Sequence, residues 1–232
     1  MTEPGHKRSG GNHRFPALYP ILDAELVLRG LSADPRERRS ILRRIVRELA
    51  AAGVEILQYR NKLDEDAVVA ADARAIREAA GPAGLTPMRL ILNDRAALVP
   101  EVEWDGVHVG QEDLPPRQAR LLVRENALVG LSTHNEEQLI AANTEPVDYI
   151  AIGPVFATAS KRDTFPVIGL DGVRRARALT EKPLVAIGGI TLETGSSVYA
   201  AGADSLAVIA AIFAAPGRST AQSAKDFLEI FI

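Results

Sequence analysis

Short apolar runs rich in β-branched residues, separated by longer stretches of helical periodicity, constrain this chain more than any other feature. From Ala17 onward the runs fall at 17–22, 54–59, 89–93, 106–109, 128–132, 149–153, 184–187 and 205–210. A strand followed by a helix, repeated along a chain, is the sequence pattern of βα units on a parallel sheet. Several runs are apolar almost throughout, as in Leu128-Val129-Gly130-Leu131 and Leu206-Ala207-Val208-Ile209. That suits strands covered on both faces by helices, whereas the strands of an open sandwich alternate. About eight such strands close a parallel (β/α)8 TIM barrel, and the chain of 232 residues lies within the roughly 200 to 250 that such a barrel occupies as one domain. The expected organisation is a disordered, polar, glycine-rich tail over 1–14 and a single barrel domain over 15–232.

The stretch 35–52 shows the helical half of the pattern. Ile41, Ile45, Val46 and Leu49 form an apolar stripe, Arg36, Arg39, Arg43 and Arg47 face away, and Gly53 supplies a stop. This arginine-rich face reads as solvated surface rather than a binding patch. A formal charge of -3 lacks the basic excess of a nucleic-acid binder, so any cationic task is local. The absence of cysteine removes disulfides, thiolate nucleophiles and thiolate metal ligands, and is compatible with a cytoplasmic setting. No apolar run approaches the roughly 18 residues that cross a bilayer, and 1–14 has no signal-peptide apolar region. Neither nucleic acid nor a membrane is therefore an expected partner. Assembly with further copies is left open.

Polar residues gather where the runs finish. Gln58, Arg60 and Lys62 follow the second run, Asn93 and Asp94 the third, 108–113 the fourth and Ser132 the fifth, while Thr158 and Lys161 follow the sixth. In a closed parallel barrel every strand ends at one rim, where the βα loops and helix N-termini form the mouth. Asp94 and Asp113 are oxygen donors suited to one hard cation such as magnesium, which keeps waters and bridges to substrate phosphates. The competing reading makes Asp94 the cap of a helix over 96–102 and Asp113 a cap ahead of Leu114-Pro115. Arg60, Lys62 and Lys161 would offset phosphate charge and stabilise a departing diphosphate. Gly188-Gly189 after the seventh run permits close approach of backbone to an anion, and Ile209-Ala210-Ala211 opens a helical turn with free N–H groups, together a barrel phosphate cradle. The glycine pair also reads as a tight turn. Thr158 and Ser160 add hydroxyls, or cap the loop over 156–163. His108 and His134 carry no zinc spacing, and Ser132 lacks a glycine-flanked nucleophile elbow.

Taken in order, Gln58-Tyr59-Arg60-Asn61-Lys62, Asn93-Asp94-Arg95, Gly106-Val107-His108-Val109-Gly110-Gln111-Glu112-Asp113, Ser132-Thr133-His134, Gly153-Pro154-Val155-Phe156-Ala157-Thr158-Ala159-Ser160-Lys161 and Ala186-Ile187-Gly188-Gly189-Ile190 resemble the thiamine phosphate synthase family. The similarity spans about 17–212 and leaves 1–14 outside. It implies a (β/α)8 barrel that joins 4-amino-2-methyl-5-(diphosphomethyl)pyrimidine to a thiazole phosphate, or its carboxylated form, with release of diphosphate. By motif, Gln58, Tyr59, Arg60, Asn61, Lys62, Asn93 and Ser132 would bind the pyrimidine substrate, and Asp94 and Asp113 would hold Mg2+. Thr158, Ser160, Gly189 and the backbone at Ile209 and Ala210 would hold the thiazole phosphate, and Ala159 would be a further substrate contact. Lys161, Ser132, Arg60 and Lys62 would carry the catalysis, Lys161 at the departing diphosphate.

The chain departs from the family pattern in three places. Ile209-Ala210-Ala211-Ile212 lacks the serine usual in that segment, which removes one hydroxyl. Thr194 replaces the usual asparagine after the Gly-Gly-Ile turn, a change that concerns helix capping, and Ser160 stands for threonine. Two rival readings remain: a thiazole tautomerase, which needs neither diphosphate nor magnesium and is disfavoured by Lys62, Lys161, Asp94 and Asp113, and a non-catalytic binder of thiamine precursors. The run 157–167 is the expected lid over a water-sensitive intermediate.

Overall fold

In a computed structural model, which describes residues 15–30, 34–81, 88–158 and 165–232, the strands are parallel and close into a barrel. They are β1 (Leu18–Asp23), β2 (Ile56–Arg60), β3 (Arg89–Asn93), β4 (Gly106–Val109), β5 (Leu128–Thr133), β6 (Tyr149–Ile152), β7 (Leu184–Ile187) and β8 (Ser205–Val208). Each pairs with its chain neighbour, and β8 pairs back onto β1. Around them run α1 (Ala24–Val27), α2 (Pro35–Ala52), α3 (Asp66–Ala80), α4 (Pro116–Leu122), α5 (Glu136–Asn143), α6 (Gly169–Ala178), α7 (Leu192–Ala200), α8 (Ala210–Phe213) and α9 (Thr220–Glu229). The barrel is the one expected from the alternating runs. The call of a tail over 1–14 lies outside the described residues. Among the described residues no helix is long and apolar enough to cross a membrane.

Two apolar layers explain why the strands read as continuous hydrophobic runs. Side chains alternate along a strand, so Tyr19, Ile21, Ile56, Ile91, Tyr149, Ala151, Val185 and Ala207 fill the barrel interior. Their sequence neighbours, such as Leu18, Leu22, Leu57, Leu90, Leu92 and Val107, pack outward against the helices. The strand ends shift by small amounts from the sequence expectation. β1 extends to Asp23 because Asp23 still pairs in register with Arg60, whereas β8 stops at Val208, where the chain turns into α8.

The helices end where their sequences dictate. Asp34 accepts a hydrogen bond from the Arg36 N–H at 2.8 Å ahead of Pro35, and Gly53, at φ 90°, closes α2 in the left-handed conformation. The buried stripe of α2 is Leu42, Ile45, Val46 and Leu49. Ile41 stands at its half-buried edge, so the apolar face is rotated slightly from the one read off the sequence. Thr194 takes part in a capping box with Thr191, whose N–H donates to the Thr194 hydroxyl at 3.0 Å.

Gly130 carries a packing role inside the barrel. A Cβ there would collide with the Tyr149 ring and come within 2.5 Å of His108 Nδ1. Gly130→Ala is expected to cost about 3 kcal/mol, the upper part of the overpacking range, measured by urea unfolding. A loss below about 1 kcal/mol would show that the ring yields instead.

Candidate active site

Period-two alternation delivers one set of polar side chains to the mouth. Asp23, Arg60, Asn93 and Ser132 occupy the last inward-facing positions of β1, β2, β3 and β5, with Gln58 and His108 one layer deeper or level with them in register. Arg60 forms an ion pair with Asp23, whose carboxylate also accepts from the Leu26 N–H at 3.1 Å and so caps α1. Asp23 is absent from the sequence expectations, since the first strand was ended at Leu22. Its signal is the alternation Tyr19, Ile21, Asp23, which puts a carboxylate at the rim.

Lys62, Asp94 and Asp113 converge from three βα loops. Lys62 Nζ lies 2.6 Å from Asp94 Oδ2 and 3.8 Å from Asp113 Oδ1. Asn93 holds the inward position on β3, so a fully extended Asp94 would face the helices. Asp94 instead adopts φ 64°, a left-handed turn that aspartate tolerates better than most residues. Its N–H donates to the His108 carbonyl at 2.8 Å. Asp113 accepts from the Gly110 N–H at 2.8 Å. Neither carboxylate caps the helix assigned to it as an alternative: 96–98 is a single 3-10 turn preceded by Arg95, and Pro115 precedes α4.

The two acids are electrostatically unequal. Burial pushes the Asp94 carboxyl up from 3.8 to about 6, with Asp113 adding to the rise and Lys62 opposing it. For Asp113, burial is outweighed by hydrogen bonds from the Asp94 carboxyl and the Gly110 N–H and by the Lys62 charge, which hold it below the ordinary range. Below about pH 6 the pair therefore holds one proton, carried on Asp94, and it titrates as a unit. Between 3.8 and about 6 the folded chain holds a proton that the unfolded chain releases. The contribution of Asp94 thus turns against folding as pH rises through that window. Asp94→Asn removes this dependence. Its stability relative to the parent is expected to improve by about 1–3 kcal/mol between about pH 4 and about pH 7 in urea unfolding. A difference that does not change with pH would contradict the assignment.

The loop that carries Lys62 is braced from outside the barrel. Asn61 Oδ1 accepts from the Leu63 and Asp64 N–H groups at 3.2 and 3.1 Å, and its Nδ2 donates to Tyr59 Oη at 3.2 Å and Asp64 Oδ2 at 2.9 Å. Arg95 donates to the Asn61 and Asp64 carbonyls at 3.1 and 2.7 Å. Arg38, reaching in from α2, bridges Asp64 and Asp72, each at 2.7 Å. This corrects two expected substrate contacts. Tyr59 points outward, fully buried beside Trp104, and its hydroxyl donates to Asp72 at 2.6 Å. Asn61 spends both ends of its amide on the loop. The five-residue motif is contiguous, but the pleat sends Gln58 and Arg60 inward and Tyr59 outward.

The other half of the mouth is a cavity of about 370 Å³ lined in part by Gly153, Thr158, Gly188, Gly189, Ile209 and Ala210. His134 forms one wall, stacked on Phe165 at 3.6 Å and bonded through Nδ1 to the Gly153 carbonyl at 2.8 Å. Gly188 and Gly189 have φ of 103° and 62°. A Cβ on Gly188 would lie 2.6 Å from Pro154 Cα, and one on Gly189 2.5 Å from the Ala157 carbonyl oxygen. The glycine pair is thus both a tight turn packed on the β6 loop and a cavity wall. Ala210 opens α8 at the cavity edge, where first-turn N–H groups lack helical partners. Ala159, Ser160 and Lys161 lie outside the described residues, as does most of the expected lid.

A sequence model of the family described as thiamine monophosphate synthase matches residues 31–212. The thiamine-phosphate synthase of Koribacter versatilis is 47% identical over 217 residues, covering 94% of this chain and 96% of that protein. The protein of the same name from Chloroflexus aurantiacus is 39% identical over 198 residues, 85% of each. Among solved structures, a thiamine phosphate pyrophosphorylase from Pyrococcus furiosus superposes with a TM-score of 0.75 at 27% identity, covering 92% of this chain and 94% of that one. With the barrel, the converging mouth residues and these likenesses in hand, the chain belongs to the thiamine monophosphate synthase family.

Proposed function

We propose that this chain is a thiamine-phosphate synthase. It couples 4-amino-2-methyl-5-(diphosphomethyl)pyrimidine to thiazole phosphate, or to its carboxylated form, giving thiamine phosphate and diphosphate, with carbon dioxide as well from the carboxylated substrate. The observation that carries the reading is the meeting of Lys62 with Asp94 and Asp113, from three separate loops, beside Arg60 at one mouth. A tautomerase acting on a thiazole alone would have no use for this arrangement.

The donor set fits magnesium. Two carboxylates supply hard oxygen ligands. Among the described residues no group of three or more histidine, cysteine, aspartate or glutamate side chains forms a closed metal cage, so waters and substrate phosphate oxygens would complete the shell. Asp94 and Asp113 would hold the ion, which would neutralise charge on the diphosphate.

The chain's own side chains do the rest. Gln58, Asn93 and Ser132 orient the pyrimidine, while Arg60 and Lys62 face the diphosphate. The C–O bond breaks with both electrons leaving on diphosphate, and the aminopyrimidine ring delocalises the resulting methylene cation. The thiazole nitrogen then donates its electron pair to that carbon and forms the C–N bond. No protein nucleophile takes part, so charge compensation and alignment supply the acceleration. Thr158, Gly189 and the backbone at Ile209 and Ala210 hold the thiazole phosphate, with Ala159, Ser160 and Lys161 assigned to the same task and to the leaving diphosphate by motif alone. Incubating the purified protein with both substrates and Mg2+ tests the reading. Thiamine phosphate and diphosphate in equal amounts are expected, and substrates recovered unchanged, or an isomerised thiazole alone, would overturn it.

A further inference from the structure

A buried line of polar side chains crosses the barrel interior from one candidate substrate contact to another. Gln58 Nε2 donates to Tyr19 Oη at 3.1 Å, and Tyr19 Oη lies 2.8 Å from Tyr149 Oη. Tyr149 Oη lies 3.0 Å from His108 Nδ1, and His108 Nε2 lies 2.8 Å from Ser132 Oγ. These are long-range contacts, with 130 residues separating the two tyrosines and 41 separating Tyr149 from His108. Gly130 leaves the space in which Tyr149 and His108 meet. A polar line of this kind costs desolvation that an apolar filling would avoid. The line ends on Gln58, one layer below Arg60, and on Ser132, the last inward residue of β5.

The polarity of the line follows from its first member. An amide nitrogen only donates, so Tyr19 Oη is the acceptor from Gln58. Among the described residues the other hydrogen-bond partner of the Tyr19 hydroxyl is Tyr149, so the Tyr19 proton points there. Burial drives both phenols well above their ordinary range, and both keep their protons. The Tyr149 proton then points to His108 Nδ1, which places the imidazole hydrogen on Nε2, directed at Ser132 Oγ. With the Gln58 amide nitrogen on Tyr19, reversing the tyrosine pair would leave the Tyr19 proton without an acceptor among the described residues, and reversing the Tyr149–His108 link would leave the Tyr149 proton without one. Ser132, its oxygen already receiving a proton, is left with its own O–H to donate.

We propose that His108, oriented through Tyr149 and Tyr19, is a positioning residue that sets Ser132 as a hydrogen-bond donor and Gln58 as an acceptor. The matching ligand offers an acceptor, a ring nitrogen or phosphoryl oxygen, at Ser132 and an N–H, such as an exocyclic amine, at Gln58. The proposal rests on the synthase reading for the identity of that ligand, but its hydrogen-bond polarity is a property of the chain alone.

Two measurements test it. In the full-length protein without substrate, 15N NMR of labelled histidine is expected to find His108 in the Nε2–H tautomer, and Tyr149→Phe is expected to mix the two tautomers. An Nδ1–H tautomer in the parent would overturn the proposal. In steady-state coupling assays Tyr149→Phe is expected to lower kcat/KM about ten-fold in the parent and less than about three-fold when Ser132 is already alanine, the signature of two residues acting through one contact. Equal losses in both backgrounds would show that Tyr149 acts on packing and overturn the proposal. If the parent makes no thiamine phosphate, the synthase reading fails and the tautomer alone decides this one.

Discussion

Lys62→Ala is expected to lower the single-turnover rate of coupling by about 10²–10³-fold, the loss that follows removal of one preorganised charge-stabilising donor. Lys62 is the cation that joins the two acids, 2.6 Å from Asp94 and 3.8 Å from Asp113. Its removal withdraws charge from a departing diphosphate and leaves the acid pair uncompensated. The loop itself should keep its shape, because Asn61 and Arg95 hold it through bonds in which the Lys62 ammonium has no part. Single-turnover rates with both substrates saturating, alongside urea unfolding, separate chemistry from folding. A loss under about three-fold, with stability unchanged, would remove Lys62 from the charge-stabilising set.

Asp94→Asn and Asp113→Asn are each expected to raise the Mg2+ concentration at half-maximal activity by at least the roughly 10–100-fold that follows loss of a group merely supporting a metal ligand. The two substitutions act differently because the acids differ. Asp94 carries the shared proton, with its carboxyl pushed up to about 6, so metal binding there displaces a proton and the parent should bind Mg2+ more tightly as pH rises through that value. Asp113 is the member held ionised, so replacing it removes standing charge and weakens that pH dependence without abolishing it, because burial still holds the Asp94 carboxyl up, whereas replacing Asp94 abolishes it. Metal titrations of activity at two pH values give both readings. Parent-like curves in both variants would end the magnesium assignment.

The barrel was legible in the sequence because strands buried on both faces leave uninterrupted apolar runs, and each run here became a strand with ends shifted by only a few residues. The convergence of Asp94 and Asp113 was legible as well, since the closed topology brings all strand ends to one rim. Tyr59 and Asn61 were misread because a motif is a string while a pleated strand alternates, and only inward parity reaches the mouth. Asp23 was hidden by ending β1 one residue early. Arg38 and Arg95 were invisible for a different reason. Arg38 lay beside an arginine-rich face that reads as solvent-exposed, and only tertiary geometry turns it toward Asp64 and Asp72. The His108–Tyr149 contact likewise depends on barrel closure and the vacancy left by Gly130, neither of which has a local signature.

Gly188 and Gly189 are hemmed in by the backbone around Pro154 and Ala157, so this wall is effectively frozen against sequence drift. Any residue with a side chain would have to shove the neighbouring turn aside before it altered the ligand. Ala210 lines the same cavity and is exposed. Under the proposed function, adaptation at this cavity is steered toward positions such as Ala210, where a lineage could add or drop a hydroxyl while the frozen wall stayed as it is.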